Sequence, residues 1–280
     1  MPRTRRALIS TVQFEAELRS GALRLVDLVQ VAQRLGVDGV EFRDVYWTDK
    51  ANEIAAVRGA TSEAGLIATY ATLVTLFDAS ENRDQLRQAV DDAVALGSPL
   101  LRIFPGQRPA AEDQSAWRAA ADAIDDAARH GVVIALENFQ KAPGCHLAEV
   151  SSILDRVPSS ALGTNLDIGN YALNGEDLSN AIRTLGARIV STHLKDVKDT
   201  PHGPVSTYLG DGNLPLPTLL ADLDRLPGQI LYCFEFGGGG DPEGRIRKSL
   251  ELLSASARLA STKSTGGSTE SGTTSSSSSS

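Results

Sequence analysis

The stretch Val132-Val133-Ile134-Ala135-Leu136-Glu137-Asn138-Phe139 is a short apolar run that stops on a carboxylate and an amide. Too short for a helix of its own and rich in β-branched residues, it reads as a strand buried on both faces, as the strands of a parallel sheet are. Three stretches downstream repeat the design. LGTNLDIGN (162–170) ends in Asp167, RIVSTHLKD (188–196) in His193 with Lys195 and Asp196 behind it, and ILYCFEFGGGG (230–240) in Glu235.

Outward from these four, the same reading predicts strands at 6–12, 39–43, 67–72, 100–104, 132–139, 163–168, 189–194 and 230–236. Helices are predicted near 23–35, 50–64, 80–96, 111–130, 147–157, 177–185, 215–226 and 242–257. In the fourth of these, Trp117, Ala120, Ala121, Ile124 and Ala128 form an apolar stripe opposite Asp122, Asp125, Asp126 and Arg129. Gly36, Gly97 and Gly131 follow predicted helices where a left-handed cap belongs.

Eight strand-helix units without a long interruption predict an α/β fold, a single closed (β/α)8 barrel of the TIM type. An open dinucleotide-binding sheet would carry a GxGxxG turn after its first strand, and none is there. The barrel is assigned to residues 1–260. Residues 261–280 are rich in Ser, Thr and Gly and end in six serines, a composition that cannot bury a core, so this tail is expected to be disordered.

With 41% hydrophobic and 22% charged residues, the chain can build a sizeable core. A net charge of -8 and only 5% aromatics exclude nucleic acid as a partner. No apolar run is long enough to span a bilayer, and the opening MPRTRRALIST lacks the apolar centre of a signal peptide. Cys145 and Cys233 have no paired spacing, which suits a reducing compartment. A cytoplasmic protein with no membrane contact is therefore expected, and a homo-oligomer is left open.

In such a barrel the C-terminal strand ends meet at one face. There Glu137, Asp167, His193 and Glu235 close consecutive strands. A single strand-end carboxylate is more often a helix cap or a salt-bridge partner. Three of them converging in a low-dielectric pocket repel one another unless a cation lies between, with the imidazole as a further ligand. The four are therefore predicted to hold one divalent metal. Oxygen-rich ligation with one nitrogen favours Mn²⁺, with Mg²⁺ or Co²⁺ as alternatives.

The runs Glu137-Asn138, Asp167-Ile168-Gly169-Asn170, His193-Leu194-Lys195-Asp196, Leu209-Gly210-Asp211-Gly212 and Glu235-Phe236 together resemble those of the sugar phosphate isomerase/epimerase family of xylose isomerase-like TIM barrels. The resemblance covers residues 6 to 257. It implies that the same four residues bind the metal and that Glu137 and Glu235 also move protons on opposite sides of a small carbohydrate substrate. The group includes ketose epimerases, inosose dehydratases, dehydroshikimate dehydratases and abasic-site endonucleases. Asn170 and Lys195 stand near positions where its ketose 3-epimerases tend to carry a histidine and an arginine, which counts against that subclass. A total of four histidines, His130, His146, His193 and His202, counts against a histidine-rich zinc nuclease.

Lys195, Glu41, Arg43, Arg102 and Asn170 are the candidate substrate-binding residues. Each has a structural alternative: Lys195 as partner of Asp196, Glu41 and Arg43 as a salt bridge, Arg102 as a pair within the barrel wall. His146 reads as a surface residue, Gly237–Gly240 as a flexible turn before a phosphate cradle, and Cys233 as packing beneath the site. Leu209–Gly212 lies where a loop could cover a ligand. The expected activity is that of a metal-dependent isomerase or epimerase working through an enediolate. The alternatives are a metal-dependent dehydratase of a keto-polyol, of the inosose or dehydroshikimate type, and a non-catalytic carbohydrate-binding barrel.

Overall fold

The computed structural model describes residues 5–77 and 82–265, with side chains described for 5–77 and 84–257. Among these residues, eight parallel strands close into a barrel. They are β1 (Arg6–Ser10), β2 (Gly39–Arg43), β3 (Ile67–Phe77), β4 (Leu100–Gly106), β5 (Val133–Glu137), β6 (Leu162–Asp167), β7 (Ile189–Leu194) and, after a two-stranded excursion of β8 (Asp196–Lys198) and β9 (Val205–Thr207), β10 (Leu231–Phe234). The circuit closes where β10 returns to β1 and sets Phe234 beside Ile9. The α/β barrel read from the sequence is the observed fold.

The surrounding helices are α1 (Glu15–Ser20), α2 (Asp27–Leu35), α3 (Lys50–Ala64), α4 (Asn82–Leu96), α5 (Gln114–Arg129), α6 (Leu147–Arg156), α7 (Ile168–Leu173), α8 (Leu178–Leu185), α9 (Leu216–Asp224) and α10 (Pro242–Thr265). Two of these, α1 and α7, have no counterpart in the prediction, because six residues are too few to display a helical period. The strand β3 runs on to Phe77, past the predicted end at Thr72, with a register shift between Ala71 and Thr75 that carries it beyond the barrel rim. The last helix extends to Thr265. The predicted helix start near Ser80 and the tail beyond residue 265 lie outside the described residues.

On α5 the buried arc is Trp117, Ala120, Ile124 and Ala127, while Ala128 is exposed. The sequence pattern accommodates an alanine at 127 or 128 equally well; packing against the strands selects 127. Trp117 donates its indole N–H to the Ala110 carbonyl at 3.0 Å and meets Phe77 edge-on at 4.9 Å.

Register decides what the barrel interior contains. Neighbours in a parallel ladder face the same way, and facing repeats every second residue. Pairings of Ser10 with Glu41, Asp167 with His193 and Cys233 with His193 put all five on the inner face. Glu137 opposes Asn165, two residues before Asp167, and shares that facing. By the same parity Lys195 and Glu235 continue the inner rows of β7 and β10 beyond their last ladder residues.

The segment between β7 and α9 is tied down from below. Buried Asp196 accepts backbone N–H groups from Val197 at 2.8 Å, Gly210 at 3.1 Å, Gly212 at 3.1 Å and Leu214 at 3.0 Å. A Cβ on Gly212 would lie 2.4 Å from the Asp196 carboxylate, so the loop passes over the aspartate only as glycine. Leu209 is buried within the core cluster. The expected ligand-covering segment is thus stitched to the barrel. Replacing Asp196 by Ala strands several of these donors, and it should lower unfolding free energy by at least about 2 kcal/mol in urea titrations.

Candidate active site

Glu137 at the end of β5, Asp167 at the end of β6 and His193 on β7 converge so that one ligand atom of each lies within 4.8 Å of the others. The His193 Nδ1 stands 3.5 Å from Glu137 Oε1 and 3.6 Å from Asp167 Oδ2. All three side chains are buried, and Nδ1 has no hydrogen-bond partner among the described residues.

Each member is held by a separate device. Asp167 caps α7 by accepting the Asn170 backbone N–H on Oδ1 at 2.9 Å, which leaves Oδ2 facing the site. The helix-cap reading of this carboxylate is observed on Oδ1, while Oδ2 turns to His193 and Lys195. Asn170 adds its side-chain amide, donating to Asp167 Oδ2 at 2.9 Å and to Glu137 Oε1 at 3.4 Å. Asn138 clamps β5 to β6, accepting from the Asp167 N–H at 2.8 Å and donating to its carbonyl at 2.9 Å.

The imidazole is fixed from behind. Its Nε2 meets Glu41 Oε2 at 2.9 Å, and the other oxygen of Glu41 accepts from the Ser10 hydroxyl at 3.1 Å. A carboxylate behind a histidine in this way fixes the ring and directs its other nitrogen forward. Glu41 is therefore engaged with His193, and Arg102 is likewise engaged with Glu137. The Arg102 Nε lies 2.9 Å from Glu137 Oε2, while its Nη1 donates to the Thr72 carbonyl at 2.8 Å. Its guanidinium also lies over the Phe104 ring at 5.0 Å.

Glu235 stands outside the group of three. Its Oε2 receives the Lys195 ammonium at 2.5 Å, and Arg43 Nη1 lies 3.4 Å from Oε1. The same ammonium contacts Asp167 Oδ2 at 2.8 Å. Lys195 is thus paired with Asp167 and Glu235, while its expected alternative partner Asp196 is turned to the loop amides.

Burial and charge pull these groups in opposite directions. Burial pushes the Glu41 carboxyl up, but the adjoining His193 and the nearby Arg102 outweigh it and hold Glu41 at about 2. Glu137 is held well below the ordinary carboxylate range against the same desolvation, by Arg102 and His193. Burial wins at Asp167, which is raised despite Lys195. Burial would lower His193 and Lys195, yet the carboxylates around them raise both.

The donor set suits a divalent cation. Ligand bonds of about 2.1 Å allow opposite ligands to stand no more than roughly 4.2 Å apart, and the two carboxylate oxygens are within that span of Nδ1. A buried imidazole nitrogen without a partner, facing two oxygens, is the arrangement a metal completes. A second trio, Glu41, His193 and Cys233, includes the direct contact of Glu41 with Nε2 of the same ring at 2.9 Å. Burial raises the Cys233 thiol well above its ordinary value, consistent with a packing residue.

Other sequence candidates lie apart. His146 is exposed beside Glu176 at the start of α6. In the Gly237–Gly240 turn, the Gly237 carbonyl accepts from Arg245 at 2.8 Å, and a Cβ on Gly238 would collide with the Gln13 carbonyl. Sequence reasoning gave no role to Asn138, although the amide beside Glu137 was its signal. It also passed over Gln13, which accepts the Ser10 N–H at 3.0 Å and keeps a buried, unpartnered Nε2. Gln13 follows a strand that carries no ionisable residue at its end, so no pattern marked it.

The chain matches the profile of the xylose isomerase-like TIM barrel over residues 29–256 and belongs to that family. Comparison with curated proteins gives no sequence match. Among solved structures it is similar to a probable 3-DHS dehydratase from Bacillus anthracis, at 16% identity and TM-score 0.71, covering 90% of this chain and 99% of that one. It is also similar to a D-allulose 3-epimerase from Methylomonas sp., at 18% identity and TM-score 0.67, covering 91% and 99%. A third is a xylose isomerase-like TIM barrel protein from Mycobacterium smegmatis in complex with magnesium, at 15% identity and TM-score 0.69, covering 92% and 98%. At these identities the likeness is one of fold. No helix among the described residues is long and apolar enough to cross a membrane.

The Glu41 contact carries a pH signature. Its folded value of about 2 lies below the ordinary 4.5, so its contribution to stability is complete above pH 4.5 and is lost as pH falls through 2. Glu41→Gln should therefore flatten the acid arm of a stability-against-pH curve for the metal-free protein in that window, with little change in slope between pH 5 and 6.

Proposed function

We propose that this chain is a metal-dependent isomerase or epimerase of a small sugar or sugar derivative, moving a proton next to a carbonyl through an enediolate. The observation that carries the reading is the buried, unpartnered His193 Nδ1 facing carboxylate oxygens of Glu137 and Asp167 at 3.5 and 3.6 Å. Glu235 is the fourth ligand in this reading. Mn²⁺ is favoured by the single nitrogen among oxygens, with Mg²⁺ or Co²⁺ as alternatives, and a magnesium complex is known for one protein of this fold. When bound, such an ion supplies Lewis acidity that acidifies the C–H beside a substrate carbonyl.

The remaining work falls to the chain's own side chains. Glu137 and Glu235 leave β5 and β10, with β6 and β7 between them, so they approach a substrate from different walls. Glu137 is kept ionised by Arg102 and takes the proton on one side. Glu235, protonated at the start of the cycle, returns a proton on the other side and is left as a carboxylate. In this reading Asn170, which donates to Asp167 and Glu137, and Arg43, which pairs with Glu235, stand beside the reacting carboxylates and orient substrate hydroxyl groups. Phe104 and Phe139, 5.4 Å apart, give an apolar flank that limits water. The sugar epimerase and the dehydratase that share the fold make both carbohydrate chemistries plausible for this barrel.

One observation favours a second reading. The Lys195 ammonium stands within the site, and once turned from the carboxylates that raise it, it protonates a departing β-hydroxyl, which would make the protein a dehydratase of a keto-polyol by the same first proton abstraction. Deuterium uptake from solvent, followed by mass spectrometry over ketoses, ketose phosphates, inososes and keto-acids, separates the two. Uptake with mass otherwise conserved supports the isomerase, and uptake with loss of water supports the dehydratase. Glu137→Gln should slow exchange by about 10²–10⁴-fold; no exchange on any compound by the metal-loaded wild type would overturn the reading.

Metal affinity should rise with pH. In the metal-free protein His193 is raised above its ordinary value, so coordination at Nδ1 must expel a proton. Calorimetry in buffers of different ionisation enthalpy counts that proton. Chelation from a hundredfold excess over Kd should cost about 2.7 kcal/mol of stability.

A further inference from the structure

The Lys195 side chain occupies an unusual position. It is 8% exposed, and its ammonium lies 2.8 Å from Asp167 Oδ2 and 2.5 Å from Glu235 Oε2. That Asp167 oxygen is the one that faces His193 Nδ1 at 3.6 Å. The lysine charge therefore rests on an oxygen that the proposed metal would need. The same ammonium ties Glu235 to Asp167, while Glu235 stays outside the group formed by Glu137, Asp167 and His193.

The backbone makes room for this arrangement. A Cβ on Gly169, in the first turn of α7, would lie 2.3 Å from Lys195 Cγ and 2.7 Å from Cδ. The aliphatic stem crosses that bare Cα on its way to the carboxylates. Any side chain at 169 would push it aside.

An ammonium and a divalent cation on the same Asp167 oxygen repel each other, so each weakens the hold of the other there. Without either, Asp167, Glu137 and Glu235 would crowd uncompensated charge into one pocket. We propose that Lys195 is a tethered placeholder for the divalent cation. Its ammonium bridges Asp167 and Glu235 in the metal-free protein and must swing away before Glu235 can join the other three ligands. This rests on the metal reading above. The apparent metal affinity is then the intrinsic affinity reduced by the fraction of molecules in which the lysine has left.

The test is titration of the metal-free full chain with Mn²⁺ at fixed pH and without substrate, by calorimetry and by the electron paramagnetic resonance of free Mn²⁺. Three variants accompany the wild type. Lys195→Met removes the bridging charge; Gly169→Ala keeps the charge and displaces the stem. Arg43→Met removes a neighbouring charge that reaches Glu235 but makes no contact with Asp167 in this structure. Lys195→Met and Gly169→Ala should each bind Mn²⁺ about tenfold more tightly than wild type, corresponding to a site closed nine-tenths of the time. Arg43→Met should gain clearly less. Metal-free Lys195→Met should also melt at a lower temperature and recover more on adding Mn²⁺.

Unchanged or weaker binding in both Lys195→Met and Gly169→Ala overturns the placeholder, as does an equal gain from Arg43→Met, which would be a bulk charge effect. A melting change in Lys195→Met without tighter binding marks a purely structural ion pair and overturns it too. If the wild type binds no Mn²⁺, the metal reading falls and this inference with it. Binding by the wild type with no gain in the variants removes the inference alone.

Discussion

The repulsion among carboxylates gathered inside the barrel rim is the constraint on which the rest of this structure depends. Closing eight parallel strands forces every second side chain into one small interior, and here the inner rows carry Glu41, Glu137, Asp167 and Glu235. Isolated charges cannot persist in such a place. Each is compensated: Glu41 by His193, Glu137 by Arg102, Asp167 by Lys195, Glu235 by Lys195 and Arg43.

That compensation is not symmetrical, and the asymmetry gives the site its character. His193 is bound on one nitrogen and bare on the other. Asp167 spends one oxygen on the first turn of α7 and presents the other inward. Glu137 has its back oxygen on Arg102 and its front oxygen towards the imidazole. Three side chains thus have one half engaged by the scaffold and one half turned to a common point, which is how rigid supports preorganise a ligand site. Lys195 and Glu235, by contrast, hold each other, and they form the part of the site with the most to gain by rearranging.

The scaffold around the rim is correspondingly stiff. Asn138 joins two strand ends through both edges of its amide, and Asp196 gathers the backbone of the segment that precedes α9. Four N–H groups on one buried carboxylate tie the loop to the barrel whatever occupies the mouth. Membership of the xylose isomerase-like family accounts for the architecture; within it the Lys195 stem lies against the bare Cα of Gly169.

The sequence by itself determined the barrel and the rows that line it. Apolar runs ending in Glu137, Asp167 and His193 carry that information locally, because strand period and strand ends are properties of a few adjacent residues. It could not tell which oxygen of Asp167 caps α7 and which turns inward to His193 and Lys195, because each finds its partner only after folding. Nor could it tell that Glu41 and Arg102 serve His193 and Glu137 in preference to open space in the mouth. Those pairings join residues 152 and 35 positions apart and arise from barrel closure. The same holds for Gly169, whose missing side chain has meaning only once the Lys195 stem from the next strand crosses it. Periodicity is local and so legible; charge pairing across a closed interior is set by distances that exist only in the folded chain.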